Sequence, residues 1–288
     1  MNQIHPTAVV ASDVQLGGEV TIGPYAVIES DVVIGPRCHI AAHAVLKQGT
    51  VLGADNCVSE GAVLGGRPQH LHAHDEIGAL HVGNGNTIRE NVTIHAALEP
   101  GNATRIGDCN MIMANAHVAH DCRVGHHTIL ANNVLLAGHV VVDDFAYLSG
   151  AAAAHQFCRI GRHSMVGGQS HIKADVLPFV TVDGFTSKVV GLNVIGLRRR
   201  GFSAAQIDQL KQAYRLIFQS GLAWEALLAE LERSFTSAPA TQMLEFLRTT
   251  QRGYVRGRKP PSGEGVALRV VADETDDTPP SVPIRRAG

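Results

Sequence analysis

The sequence predicts an all-β domain wound as a parallel β-helix of six-residue repeats, followed by a small α-helical C-terminal domain. Three observations carry this. A nonpolar residue recurs at every sixth position in one phase from Ile4 to Ile172, and of the 29 positions in that register only His70, Glu76 and Pro100 depart from it. A chain that is 45% hydrophobic would place about 13 nonpolar residues there by chance. A small side chain stands two residues before the nonpolar one, as at Ala26, Cys38, Ala44, Ala116, Cys122 and Ala152, and glycine often follows it, as at Gly17, Gly35, Gly107 and Gly161.

Taken in order, each unit explains itself. Six is a multiple of the strand period of two, so something must interrupt a strand once per repeat. The glycine is expected to supply the backbone angles of a corner, and the nonpolar and small residues both point inward. Three units close a triangular coil of eighteen residues, and coils stack at about the 4.8 Å spacing of paired strands. About 175 residues then give roughly nine to ten coils. Residues 66–81 and 95–103 break the pattern and are expected to leave the prism as loops before returning in phase. Cys38, Cys122 and Cys158 occupy the inward slot as core residues, and the five cysteines show no zinc or disulfide spacing.

The prism domain is expected to span 1–200, although its register fades after Pro178. Ser203 is placed to cap a helix through AAQIDQLKQAYRLIFQS that ends at Gly221, with Ile207, Leu210, Tyr214 and Ile217 on its apolar face. Further helices are predicted around 223–235 and 240–251, completing a helical domain over 201–256. Residues 257–288, rich in proline and charge, read as a disordered tail.

Composition narrows the function. A net charge of −2 over 288 residues argues against nucleic-acid binding. No stretch of about 18 apolar residues predicts a transmembrane segment and MNQIHPTAVV lacks the basic and apolar regions of a signal peptide, so a cytoplasmic protein is expected. Sixteen histidines is a high number. His5, His39, His43, His126, His127 and His163 read as solvated side chains. Others gain meaning from the register: His120, Gly138 and Gln156 are eighteen residues apart and stack in equivalent slots of successive coils. An imidazole thereby neighbours a glycine backbone, which suits acyl transfer to a hydroxyl: the imidazole takes the alcohol's proton while an N–H stabilises the oxyanion. Asp121 follows His120 and orients it only if the corner turns it to the same side.

The segments NAHVAHDC, ILANNVLLAGHVVVDDFA, AAHQFCRIG, MVGG and GLNVIGLRRRGFS, in this order and spacing, resemble the UDP-N-acetylglucosamine 3-O-acyltransferases of lipid A synthesis over about residues 4–255. The resemblance implies a left-handed coil, against the usual crossover hand. It also implies a homotrimer with active sites between prisms, and transfer of a 3-hydroxyacyl group from acyl carrier protein to a UDP-amino-sugar. By the same resemblance His120 is the general base, Asp121 its partner and Gly138 the oxyanion position. His117, His139, His155 and Gln156 line the cleft, and Asn193, Arg199 and Arg200 match the nucleotide end, where guanidinium groups suit phosphates. Gly168 and Thr186 fall in the acyl-chain pocket. Arg162, Arg198 and Lys211 are candidates for guiding the acidic carrier.

There are departures. His70 and His72 stand where the family usually carries an aspartate and a lysine near the sugar nucleotide, Ile195 replaces a glutamate, and Thr186 replaces a histidine. They leave open an acceptor that is a variant UDP-amino-sugar. Three other readings stand beside this one. A zinc hydratase of the gamma-carbonic-anhydrase type would use His117, His120 and His139. The N-acyltransferase acting later in lipid A synthesis carries a substantial domain before its coils, and a catalytically inactive scaffold has no use for the stack. No metal and no other cofactor is expected.

Overall fold

The computed structural model describes residues 1–258 except His74 and Ser237, so the tail expected at 257–288 falls almost wholly outside the described residues. Met1–Arg258 form one compact unit. The chain winds as a left-handed parallel β-helix. Strands mostly two residues long, such as Thr21–Ile22, Val27–Ile28 and Val33–Ile34, feed three sheets of eleven, nine and eight strands. Partners in an uninterrupted coil are eighteen residues apart, as Thr21 is from His39. Leu80, however, pairs with Thr50 on one side and Thr104 on the other. The two excursions therefore insert whole multiples of six, which is why the register survives them. Both are shorter than expected, since the strands Ala79–Val82 and Thr93–His95 reclaim their ends.

The inward residues behave as the repeat requires. Ile22, Ile28, Ile40, Leu64, Ile88, Ile112 and Leu136 are fully buried, as are the small residues Ala26, Ala44, Ala116, Ala152 and Cys122. Each large aliphatic side chain removed from water contributes about 1.5–3 kcal/mol, and the prism gathers one per corner per coil. Cys38, Cys122 and Cys158 are buried free thiols. Burial pushes the Cys122 thiol up to about 12, so it stays a protonated core residue.

The corners correct one expectation. The glycines after the nonpolar position do not supply the left-handed turn. A side chain on Gly17 would come 2.5 Å from the Pro36 nitrogen, and one on Gly107 2.5 Å from the Gly125 oxygen. These glycines let the next coil's backbone approach. The left-handed residue lies two positions later and is usually not glycine: Glu19, Arg37, Asp55, His127, Phe145 and His163 all have φ between 54° and 61°. Such residues cost roughly 1–2 kcal/mol each, and stacking along the corner offsets part of it. His127 lies flat on Phe145 with centroids 5.0 Å apart, Phe145 on His163 at 4.7 Å, and His163 on Phe179 at 5.7 Å. His163 is thus a packed ring rather than a solvated one. Burial first, then Arg162 and Arg200, lowers its pKa to about 4.

After the last coil a short helix absent from the sequence reading, Val194–Arg199 (α1), precedes Ala204–Gln219 (α2), Trp224–Ser234 (α3) and Ala240–Arg248 (α4). Ser203 and Gln206 form the reciprocal capping box of α2, and Ile207, Leu210 and Ile217 are buried beneath it. Tyr214 is only half-buried.

Candidate active site

The site grows from one corner. His120 and Asp121 form the turn between strands His117–Val118 and Arg123–Val124. Successive strand residues face opposite ways, but Asp121 has φ 59°, and this left-handed turn brings its carboxylate back to its neighbour. The result is a 2.7 Å contact between His120 Nδ1 and Asp121 Oδ2. Asp121 is fixed in turn: its carboxylate accepts from the Leu98 N–H at 3.1 Å, and its own N–H donates to Thr104 Oγ1 at 2.8 Å. A carboxylate only accepts, so Nδ1 carries the hydrogen and Nε2 keeps its lone pair. That is the tautomer a general base needs.

Gly138 stands against the working edge of this ring. A side chain built there would lie 2.7 Å from both Cε1 and Nε2 of His120, so only glycine leaves the edge open. The Gly138 N–H donates to no described residue, while its carbonyl accepts from Phe157. Base and free donor sit together at the rim of a cleft of about 470 Å³, whose lining includes His70, His117, His120, Gly138, His155 and Gln156. Leu135, Ala153 and Ala154 supply its apolar wall.

Other histidines surround the pair. His139 meets His120 edge to face with centroids 5.2 Å apart, and its Nε2 lies 3.9 Å from Asp121 Oδ2. Burial lowers the pKa of His139 and of His117, which keeps both neutral near pH 7. The loop after Gly66 folds back, so that His70 packs at 5.6 Å against His120, with His72 beside it at 5.9 Å. His70 therefore lines the cleft beside His120, whereas His72 does not line it.

Sequence reasoning missed His95. It is buried, lines the cleft, and meets His117 at 4.7 Å. Its Nδ1 has no hydrogen-bond partner among the described residues. Burial, then His117 and His120, lowers its pKa to about 4. The signal was obscured because the excursion after it adds six residues: Ile94 pairs with Val118, 24 rather than 18 positions on. Allowing for that insertion aligns His95 with Ala119.

Several predicted residues do not reach this cleft within one chain. Asn193 caps α1, accepting from the Gly196 N–H at 3.1 Å and donating to the His163 carbonyl at 3.0 Å. The Arg200 guanidinium lies 4.8 Å from the centre of the Phe145 ring, and Arg199 is exposed. Thr186 donates its hydroxyl to Asp183 Oδ2 at 2.8 Å in an exposed turn. Gly168 lies close to the next coil, where a side chain would come 3.1 Å from the Gly150 oxygen. Among the described residues, the donors grouped closely enough to hold a metal ion are His120, Asp121 and His139 rather than His117, His120 and His139. There the ion would displace the bond that sets the His120 tautomer.

A parallel prism of six-residue repeats, with an oriented histidine facing a glycine at a cleft between coils, defines a hexapeptide-repeat acyltransferase. The comparisons agree. Residues 13–48 and 103–138 match the bacterial transferase hexapeptide model, and residues 175–255 match domain 2 of UDP N-acetylglucosamine O-acyltransferase. A protein of Burkholderia orbicola (strain MC0-3) named acyl-(acyl-carrier-protein)–UDP-N-acetylglucosamine O-acyltransferase is 50% identical over 262 residues, covering 89% of this chain and 100% of that protein. One of the same name from Halorhodospira halophila is 47% identical over 261 residues, with the same coverage. The solved UDP-N-acetylglucosamine O-acyltransferase of Moraxella catarrhalis RH4 superposes with a TM-score of 0.85 at 38% identity, over 88% of this chain and 99% of that one. The chain belongs to the UDP-N-acetylglucosamine O-acyltransferase family.

Proposed function

We propose that this protein transfers a 3-hydroxyacyl group from acyl carrier protein to the 3-hydroxyl of UDP-N-acetylglucosamine, the first step of lipid A synthesis, in the cytoplasm. The observation that carries the mechanism is the His120 ring, locked by Asp121 through Nδ1 and open at Nε2 beside Gly138. His120 Nε2 takes the proton of the acceptor hydroxyl as its oxygen attacks the thioester carbon. The Gly138 N–H stabilises the oxyanion, and Asp121 stabilises the imidazolium. The C–S bond then breaks, the proton passes to the leaving sulfur, and ester and carrier thiol are released. His117, His139, His155 and Gln156 contact the substrates in the cleft. No step requires a metal or another cofactor.

The family resemblance supports a homotrimer, and so does the outer surface. Along the nine-stranded sheet the outward positions of the first coils read Val9, Val27, Val45 and Val63, an apolar row that ends where Thr93 and His117 lead the same column into the cleft. Such a row is suited to another prism. On this reading Asn193, Arg199 and Arg200 approach the nucleotide in the trimer rather than within one chain. Gly168 leaves room along the acyl chain.

His70 touching His120 favours a second acceptor. Where the family usually places a carboxylate, an imidazole stands beside His120 in the cleft, which suits an acceptor with altered groups near the sugar's 3-position. Incubating the enzyme with a panel of UDP-sugars and acyl-carrier thioesters and weighing the products tests both. A mass gain of one 3-hydroxyacyl group on UDP-N-acetylglucosamine supports the main reading. Gain only on another UDP-amino-sugar supports the second, and gain on none defeats the assignment.

A further inference from the structure

The strand Arg123–Val124 of the eight-stranded sheet begins three residues beyond His120, and the outer column through it carries three arginines. Arg105 and Arg123 are exposed partners on adjacent strands, Arg123 pairs with Val141, and Val141 pairs with Arg159. Side chains so paired lie about one strand spacing apart, near 5 Å, where like charges repel. Arg105 and Arg123 nevertheless have no carboxylate in salt-bridge reach among the described residues. Arg105 instead donates to His81 Nδ1 at 2.9 Å, and burial together with Arg105 lowers the pKa of His81, so that ring adds no positive charge. Arg159 is held with its guanidinium 4.0 Å from the Phe246 ring centre and donates to Thr249 Oγ1 at 2.9 Å. Its field is shared with Asp143.

Of the basic residues singled out in the sequence as carrier guides, Arg198 is exposed at the end of α1 and the other two are paired. Arg162 pairs with Asp144 at 3.1 Å and Lys211 with Asp208 at 3.0 Å, so their charges are already answered. Beyond His81 a separate cleft is lined by Glu29, Asp31, Asp75 and Glu76 together with Lys47 and Arg67, and Lys47 pairs with Glu29 at 2.6 Å. Arg105 and Arg123 therefore place positive charge, without a carboxylate partner among the described residues, beside the corner that carries His120.

We propose that Arg105 and Arg123, with Arg159 at the far end, form the docking surface for the acidic acyl carrier protein, from which the thioester arm crosses the corner into the His120 cleft. The proposal rests on the acyl-transfer reading above. Two unanswered guanidiniums in fixed register match carboxylates along a helix of an acidic partner, and the corner they adjoin is where the thioester must arrive.

The test compares two donors on the full-length enzyme, a 3-hydroxyacyl-carrier thioester and the same acyl group on pantetheine alone. For Arg105→Glu with Arg123→Glu, KM for the carrier donor is expected to rise tenfold or more with kcat within twofold, while kinetics with the pantetheine donor stay unchanged. The wild-type KM for the carrier should rise with salt, and that of the double variant should do so far less. Arg123→Gln alone, which removes charge without reversing it, should raise the carrier KM by a smaller factor. Unchanged carrier KM in both variants, or equal losses with both donors, overturns the docking proposal. Wild-type enzyme that acylates from neither donor overturns the acyl-transfer reading instead.

Discussion

Gly138→Ala isolates the geometry of the catalytic edge. The backbone at Gly138 lies outside the left-handed region, so alanine adopts it without strain, and the N–H proposed for the oxyanion is retained. The new methyl would lie 2.7 Å from His120 Cε1 and Nε2, so the ring must retreat by about 0.7 Å to reach ordinary contact. It cannot do so freely, because Asp121 holds Nδ1 at 2.7 Å and the His139 and His70 rings pack against it. A displacement near 1 Å in a reacting group costs about 100-fold in rate, or about 2.7 kcal/mol on the barrier. Steady-state kcat with the carrier thioester should fall by that order, with the urea midpoint little changed. A kcat within twofold of wild type would show that the edge beside Gly138 is not where the proton moves.

Three further outcomes follow from packing and protonation. Gly107→Ala places a methyl 2.5 Å from the Gly125 oxygen and should destabilise the prism by more than about 2 kcal/mol, whereas Gly18→Ala, with nothing within 4 Å, should change it by less than about 0.5 kcal/mol; equal urea midpoints would contradict the close-approach role of these glycines. His163→Phe keeps the stack but removes a histidine whose folded pKa is depressed to about 4. The unfolded chain then binds more protons than the native one, so wild type loses stability as pH falls below about 6.5 and should drop by about 2 kcal/mol relative to the variant between pH 7 and pH 5; parallel pH–stability curves would refute this. For the proposed homotrimer, Val27→Glu with Val45→Glu should lower the solution mass towards that of a monomer by light scattering, and an unchanged mass would remove that face from the interface.

The coil was legible because its cause is strictly periodic: an inward aliphatic residue such as Ile88 or Leu136 is required once per repeat, whatever the outer residues do. The same arithmetic placed Gly138 one coil above His120, and the 2.7 Å proximity of a built side chain agrees with it. What the period hid was whatever an insertion displaced. His95 sits 24 residues from its stack partner, and His70 reaches His120 by the fold of an excursion. Backbone conformation was also poorly legible. Glycine at Gly17 or Gly107 marks close approach, while the turn is carried by residues such as His127 and Phe145 that bear no sequence signal for it. Asn193, expected from the resemblance at the nucleotide end, has within one chain a local role as well: its amide accepts from α1 and donates to the His163 carbonyl.

The central claim is that His120 removes the proton from the acceptor hydroxyl. Its most direct test is the single-turnover rate of His120→Ala with a saturating 3-hydroxyacyl-carrier thioester and UDP-N-acetylglucosamine, measured beside the variant's solution mass. Loss of at least about 100-fold in rate, with the mass unchanged, is the predicted result; a rate near that of wild type would contradict it.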